Sequence, residues 1–202
     1  KFGTAATASE ITPQNAKNMI LHHFNSLTPG NELKPDALLN QEASKNDGDN
    51  VNPQVRLAPN TKAVLKFCED NKIPMRGHVF VWHSQTPDWF FRTGYSKEGS
   101  IVSASTMDAR MEMYIKTVMN HVYSYEYGKC VYAWDVVNEY PHANNENWKA
   151  VYGSDRSFLK KAYEFAYSVL ENYKLAGKVS LVFNDYNTYM EVPTVINIVN
   201  EI

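Results

Sequence analysis

Trp134-Asp135-Val136-Val137-Asn138-Glu139 is a short apolar run that ends abruptly in an amide beside a carboxylic acid. The β-branched and aromatic residues over 131–137 have the pattern of a strand buried on both faces of a parallel sheet. In a (β/α)₈ barrel, polar residues at the C-terminal ends of such strands face the active site. Read that way, Glu139 is a catalytic acid on a strand tip. Taken alone, the hexapeptide fits equally well a surface carboxylate that merely terminates a strand. The flanking sequence separates the two readings.

Upstream of this strand, Ser105 or Thr106 opens a long amphipathic helix in which Met111, Tyr114, Ile115, Val118, Met119 and Val122 keep a 3.6-residue period, with Gly128 as its stop. Downstream, residues 155–176 repeat the device, with Phe158, Leu159, Ala162, Phe165, Ala166, Val169 and Leu170 on one stripe and Gly177 as the stop. A strand over 179–184 and a helix from Pro193 follow. Towards the N-terminus the sequence predicts strands over 2–6, 24–27 and 75–82. Between them lie a helix opened by Thr12-Pro13 and running to about 22, and a helix over 60–71 closed by Ile73-Pro74. The polar stretch 44–50 reads as an exposed loop without chemistry. Strands alternating with helices imply a parallel sheet of right-handed crossovers. The expected architecture is an α/β TIM barrel, (β/α)₈, with its first five β/α units in residues 1–202 as the N-terminal portion of a single catalytic domain.

Bulk properties narrow the function classes. At 202 residues, 44% hydrophobic and 13% aromatic, the chain has the composition of a packed globular domain. A net charge of −2 gives no electrostatic footprint for nucleic acid or an anionic membrane. The longest apolar stretches fall far short of the roughly 20 residues that span a bilayer. The opening residues lack the pattern of a secretory leader, which fits either a cytosolic protein or one whose leader has been removed. Cys68 and Cys130 are read as buried free thiols, with a disulfide between them as the alternative if the segments before two neighbouring strands meet.

Four strands end in groups suited to a polyol. These are Gly30-Asn31-Glu32-Leu33-Lys34 after the second, His78 to Gln85 at the end of the third, Asn138-Glu139 at the fourth, and Asn184-Asp185-Tyr186-Asn187 at the fifth. Hydroxyls need donors and acceptors, and the C–H face of a sugar ring needs an apolar platform. Individually, Lys34 would be a solvated cation, and His78 and Trp82 would be core residues; their placement at strand tips on one end of the sheet reverses those readings. His78 and His83 fall on opposite faces of a strand and cannot pair as metal ligands, and no HExxH, GxSxG or glycine-rich phosphate loop occurs. No metal and no cofactor is expected.

Together these clusters resemble glycoside hydrolase family 10, the retaining endo-β-1,4-xylanases. The strings that carry the resemblance are GNELKPD at 30–36, RGHVFVWHSQTPDWF at 76–90, WDVVNE at 134–139 and FNDYN at 183–187. The resemblance implies that Glu139 is the general acid/base and that Asn138 bonds the sugar 2-hydroxyl. It implies that Asn31, Lys34, His78, Trp82 and Gln85 hold and wall the glycone sugars, and that Tyr186 is an aglycone stacking platform. It also implies xylan and xylooligosaccharides as ligands and a secreted, extracellular protein. Gly30 stands where the family often has Glu, which puts distal glycone affinity in question. The family's nucleophilic glutamate follows a seventh strand, so it is expected outside residues 1–202, on a C-terminal remainder of the barrel. Two alternatives remain open from sequence: an inactive or carbohydrate-binding fragment, and a related retaining β-1,4-glucanase or mannanase.

Overall fold

A computed structural model describes residues 1–141, 144 and 146–202. Five strands, β1 (Gly3–Ala6), β2 (Ser26–Pro29), β3 (Met75–Val81), β4 (Val131–Asn138) and β5 (Ser180–Asn184), form one sheet in the order β1-β2-β3-β4-β5, with every pairing parallel. Winding in one direction, with each strand beside its sequence neighbour, is the barrel arrangement; a doubly wound sheet reverses its order part-way. The helices are α1 (Gln14–His23), α2 (Pro35–Leu38), α3 (Gln41–Asp47), α4 (Pro59–Asp70), α5 (Ala104–Ser124), α6 (Glu146–Tyr152), α7 (Ser157–Asn172) and α8 (Val192–Glu201).

The core lies between the sheet and its helices. Trp134 on β4 is fully buried; its ring stacks on Phe80 of β3 at 4.7 Å, and its indole N–H donates to the Tyr123 hydroxyl of α5 at 2.9 Å. Burial pushes the Tyr123 phenol up to about 12, an effect that this indole bond opposes. Gly77, paired with Trp134 across the sheet, makes room for the indole: a Cβ there would sit 2.3 Å from Trp134 Cε3. The opposite face of the same strands carries Arg76, His78 and Asp135, with His78 directly across from Asp135. One face of β3 and β4 thus feeds the core, and the other carries charge.

Several expected boundaries shift for local reasons. The second strand begins two residues later than predicted, because α1 runs to His23 and Phe24 stacks on Phe2 at 5.3 Å outside the ladder. The long helix is capped by Ser103, whose hydroxyl accepts from the Thr106 amide at 3.2 Å, rather than by Ser105 or Thr106. It also ends at Ser124, short of Gly128. Gly128 instead packs against the helix end, where a Cβ would fall 1.7 Å from the Val122 carbonyl. The helix expected over 155–176 is α7 alone, and α6 precedes it. The stretch 44–50, expected as a loop, is helical as far as Asp47 and closes at Gly48 in the left-handed region (φ 74°). Beyond that turn Asn50 is held by the buried guanidinium of Arg110, at 2.7 Å to its carbonyl and 2.6 Å to its side chain. Cys68 and Cys130 are both free thiols.

Candidate active site

The C-terminal ends of β2 to β5 lie together, and the sequence-predicted residues are joined by contacts that cross from tip to tip. After β2, the buried Glu32 organises the turn: its carboxylate accepts from the amides of Ala8 at 2.6 Å and Asn31 at 3.0 Å. Gly30 donates to the Ala6 carbonyl so closely that a Cβ on it would meet Thr7 Cγ2 at 2.7 Å. Lys34 then reaches Asn31 Oδ1 at 3.0 Å and Gln85 Oε1 at 2.6 Å, while Gln85 Nε2 also faces Asn31 and Asp36. The Asp36 amide donates to the Gln85 carbonyl, stapling the loops after β2 and β3.

Trp82 joins this cluster to the acid. The Lys34 ammonium lies 5.2 Å from the centre of its ring, His78 packs beside it at 5.9 Å, and its indole N–H donates to Glu139 Oε2 at 2.9 Å. The Trp82 carbonyl accepts from the Thr86 hydroxyl and from the Trp148 indole, which holds the residue in place. Glu139 has φ 54°, in the left-handed region where a non-glycine residue costs about 1–3 kcal/mol, and its amide donates to the Asn184 carbonyl at 2.8 Å. This conformation turns the carboxylate sideways, towards Trp82, instead of continuing the strand.

Beneath the tips runs a second set of groups. Asp135 is buried; its Oδ1 accepts from Arg76 Nε at 2.8 Å and stands 2.5 Å from Nη2 in an ion pair, and its Oδ2 accepts from His78 Nδ1 at 2.8 Å. A carboxylate can only accept, so His78 carries a proton on Nδ1, and Nε2 is the ring nitrogen left for a ligand. Arg76 Nη2 also donates to Asn184 Oδ1 at 2.9 Å, and Asn184 Nδ2 donates to Asn138 Oδ1 at 2.5 Å. A cavity of about 360 Å³ opens here, lined by Lys34, Arg76, His78, Asp135 and Asn184 and by the backbone turn at Thr28 to Gly30.

The structure therefore brings Asn31, Lys34, His78, Trp82, Gln85, Asn138 and Glu139 into one connected set. Tyr186 lies half exposed on the loop after β5. Sequence reasoning assigned no role to Arg76 or Asp135, and placed Glu32 and Asn184 only within the strand-tip clusters. A signal for Asp135 was present: a carboxylate in the middle of a buried apolar strand demands a partner. Among the described residues no cluster of three or more His, Cys, Asp or Glu side chains is arranged to hold a metal ion.

Comparison with known proteins fits this geometry. The family model for glycosyl hydrolase family 10 matches residues 1–202. Endo-1,4-beta-xylanase A of Butyrivibrio fibrisolvens is 47% identical over 204 residues, covering 92% of this chain and 49% of its own length. The bifunctional endo-1,4-beta-xylanase XylA of Ruminococcus flavefaciens is 41% identical over 202 residues, covering 96% of this chain and 20% of its own. The chain thus spans half or less of the length of these curated relatives. Among solved structures, the Clostridium thermocellum N-terminal endo-1,4-beta-D-xylanase 10B, complexed with xylohexaose, superposes with a TM-score of 0.78 at 34% identity, over 94% of this chain and 38% of that one. The endo-1,4-beta-xylanase from Caldicellulosiruptor owensensis gives 0.72 at 31% identity, over all of this chain and 56% of that one.

Proposed function

Because the chain belongs to glycosyl hydrolase family 10, with that family's (β/α)₈ barrel fold, we propose that its protein is an endo-1,4-β-xylanase that cleaves internal linkages of xylan by retaining double displacement. The observation that carries the reading is the placement of Glu139: turned out of its strand end, held by the Trp82 indole, and next to an amide suited to a sugar hydroxyl. In the first step Glu139 protonates the departing glycosidic oxygen while a second carboxylate attacks the anomeric carbon; in the second, Glu139 takes a proton from the water that releases the sugar. The two carboxyl groups need to stand roughly 5–5.5 Å apart. Asp135 is unsuited to the second role, since Arg76 and His78 occupy its oxygens below the tips. The second carboxylate comes, in this reading, from the portion of the relatives' length that residues 1–202 do not cover.

Asn31, Lys34, His78, Trp82 and Gln85 wall the glycone side, Asn138 donates to the sugar 2-hydroxyl, and Tyr186 stacks on the aglycone. A polymeric substrate places the enzyme outside the cell. The test is hydrolysis of xylan, cellulose and mannan by the full-length protein and by Glu139→Gln. The Gln carbonyl can still accept from Trp82, so the site keeps its shape and loses only the proton. Cleavage of xylan should fall about 10²-fold or more, with a much smaller loss in the glycosylation step of aryl xylobiosides that have good leaving groups. Equal losses on both substrates would remove Glu139 from the role, and preference for cellulose or mannan would overturn the substrate assignment.

A further inference from the structure

We infer that Arg76, acting through Asn184, decides which end of the Asn138 amide is offered to substrate, so that both are positioning residues for the sugar site. The inference rests on the reading of Asn138 as a sugar contact. The two ends of a carboxamide are nearly equal in size and opposite in hydrogen-bond character. A strand-tip asparagine left to itself can present either a donor or an acceptor to a hydroxyl. Something must set the choice.

The direction is set from below. Arg76 has donors only, so the atom of Asn184 that faces its Nη2 at 2.9 Å must be the carbonyl oxygen. That turns the Asn184 NH₂ towards Asn138 and makes the atom it meets at 2.5 Å the Asn138 oxygen. With its oxygen engaged, Asn138 is left with its NH₂ as the group it can give to a ligand, and that NH₂ donates to no other described residue. Arg76 cannot reverse the order, because it is paired with Asp135, which accepts from its Nε and is itself fixed by His78. The backbone keeps the links aligned: Asn138 pairs with Asn184 across β4 and β5, and the Glu139 amide bonds the Asn184 carbonyl. Charge at Asp135 is thus relayed through guanidinium and amide to a donor at the tip, and successive bonds in such a chain strengthen one another.

Asn184→Asp in the full-length protein tests the relay. The aspartate is the same size and pairs with Arg76, but towards Asn138 it can only accept, so the Asn138 amide should turn and present its oxygen. On an aryl β-xylobioside, kcat/KM should fall about 10- to 100-fold, the scale of a lost and opposed hydrogen bond. On the matching 2-deoxy substrate the change should be small, and in an Asn138→Ala background Asn184→Asp should add little. Asn184→Ala, which frees the amide without reversing it, should give a smaller loss with the same dependence on the hydroxyl. Equal losses on both substrates, or full additivity with Asn138→Ala, would mark Asn184 as merely structural and overturn the relay. An orientation readout independent of turnover comes from ¹⁵N-asparagine NMR: the Asn138 side-chain NH₂ should exchange more slowly in Asn184→Asp, and unchanged exchange would refute the inference. A wild-type protein inactive on every xylan substrate would count against the xylanase reading, and the exchange measurement would still decide the relay.

Discussion

Replacing Asp135 with Asn separates the electrostatics beneath the site from its shape. The side chain is the same size, buried, and engaged on both oxygens: Oδ1 accepts from Arg76 Nε and ion-pairs with Nη2, and Oδ2 accepts from His78 Nδ1. Asn has one acceptor and must choose. Turning its NH₂ towards Arg76 would oppose donor to donor and strand the guanidinium, a loss on the scale of about 3–5 kcal/mol seen when a buried pair is broken. Turning its oxygen to Arg76 keeps both contacts but removes the charge. Charge-assisted bonds contribute about 1.5–3 kcal/mol and neutral ones about 0.5–1.5, so each contact weakens by about 1 kcal/mol. The Arg76 side chain is 31% exposed and can recover some solvation, which brings the total to about 1–2 kcal/mol. The NH₂ then faces His78, whose Nδ1 must give up its proton to become the acceptor. Denaturant unfolding of the full-length protein should show the stability loss with an unchanged m-value. ¹⁵N NMR of the imidazole should show Nδ1 protonated in the wild type and unprotonated in the variant. An Nδ1 still protonated in the variant, or a loss well above 3 kcal/mol, would refute this account of the network.

Gly77→Ala places a Cβ 2.3 Å from an indole boxed in by Phe80 and Tyr123, so denaturant unfolding should show destabilisation at or above the upper end of the about 1–3 kcal/mol usual for overpacking. A change under 1 kcal/mol would mean that Trp134 has room to move. Tyr186→Ala removes a half-exposed ring on the loop after β5 and should weaken xylooligosaccharide binding by about 1 kcal/mol, roughly fivefold by calorimetry. No change in affinity would remove Tyr186 from the aglycone role.

The alternation of strands and helices was legible because each apolar stripe is a local property. The errors fell where a residue answers to a distant partner. Phe24 carries a strand-like signal that belongs to its stacking on Phe2, and Gly128 looks like a helix stop because it must approach the Val122 carbonyl. A polar run such as 44–50 can be helical when its cap is well made: Asn40 accepts from the Ala43 amide at 3.2 Å and Gly48 closes the far end.

The same distinction divides the active site. Strand tips place Glu139, Trp82, Lys34 and Gln85 at one end of the sheet by topology alone, so residue type and position were enough to find them. What each side chain presents to a ligand depends on register. His78 leaves Nε2 for a ligand only because Asp135, across the sheet, takes its Nδ1, and Asn138 offers a donor only because Asn184 is its neighbour on β5 and Arg76 stands behind that. These pairings join residues about 50 to 110 positions apart in sequence. A one-residue slip would send each side chain to the other face of the sheet. The polarity of the site is therefore a property of strand alignment, and the bulged registers between β3, β4 and β5 are where it is decided. A substitution that shifted the β4 to β5 register while leaving Glu139 in place should thus impair sugar recognition before it impairs proton donation.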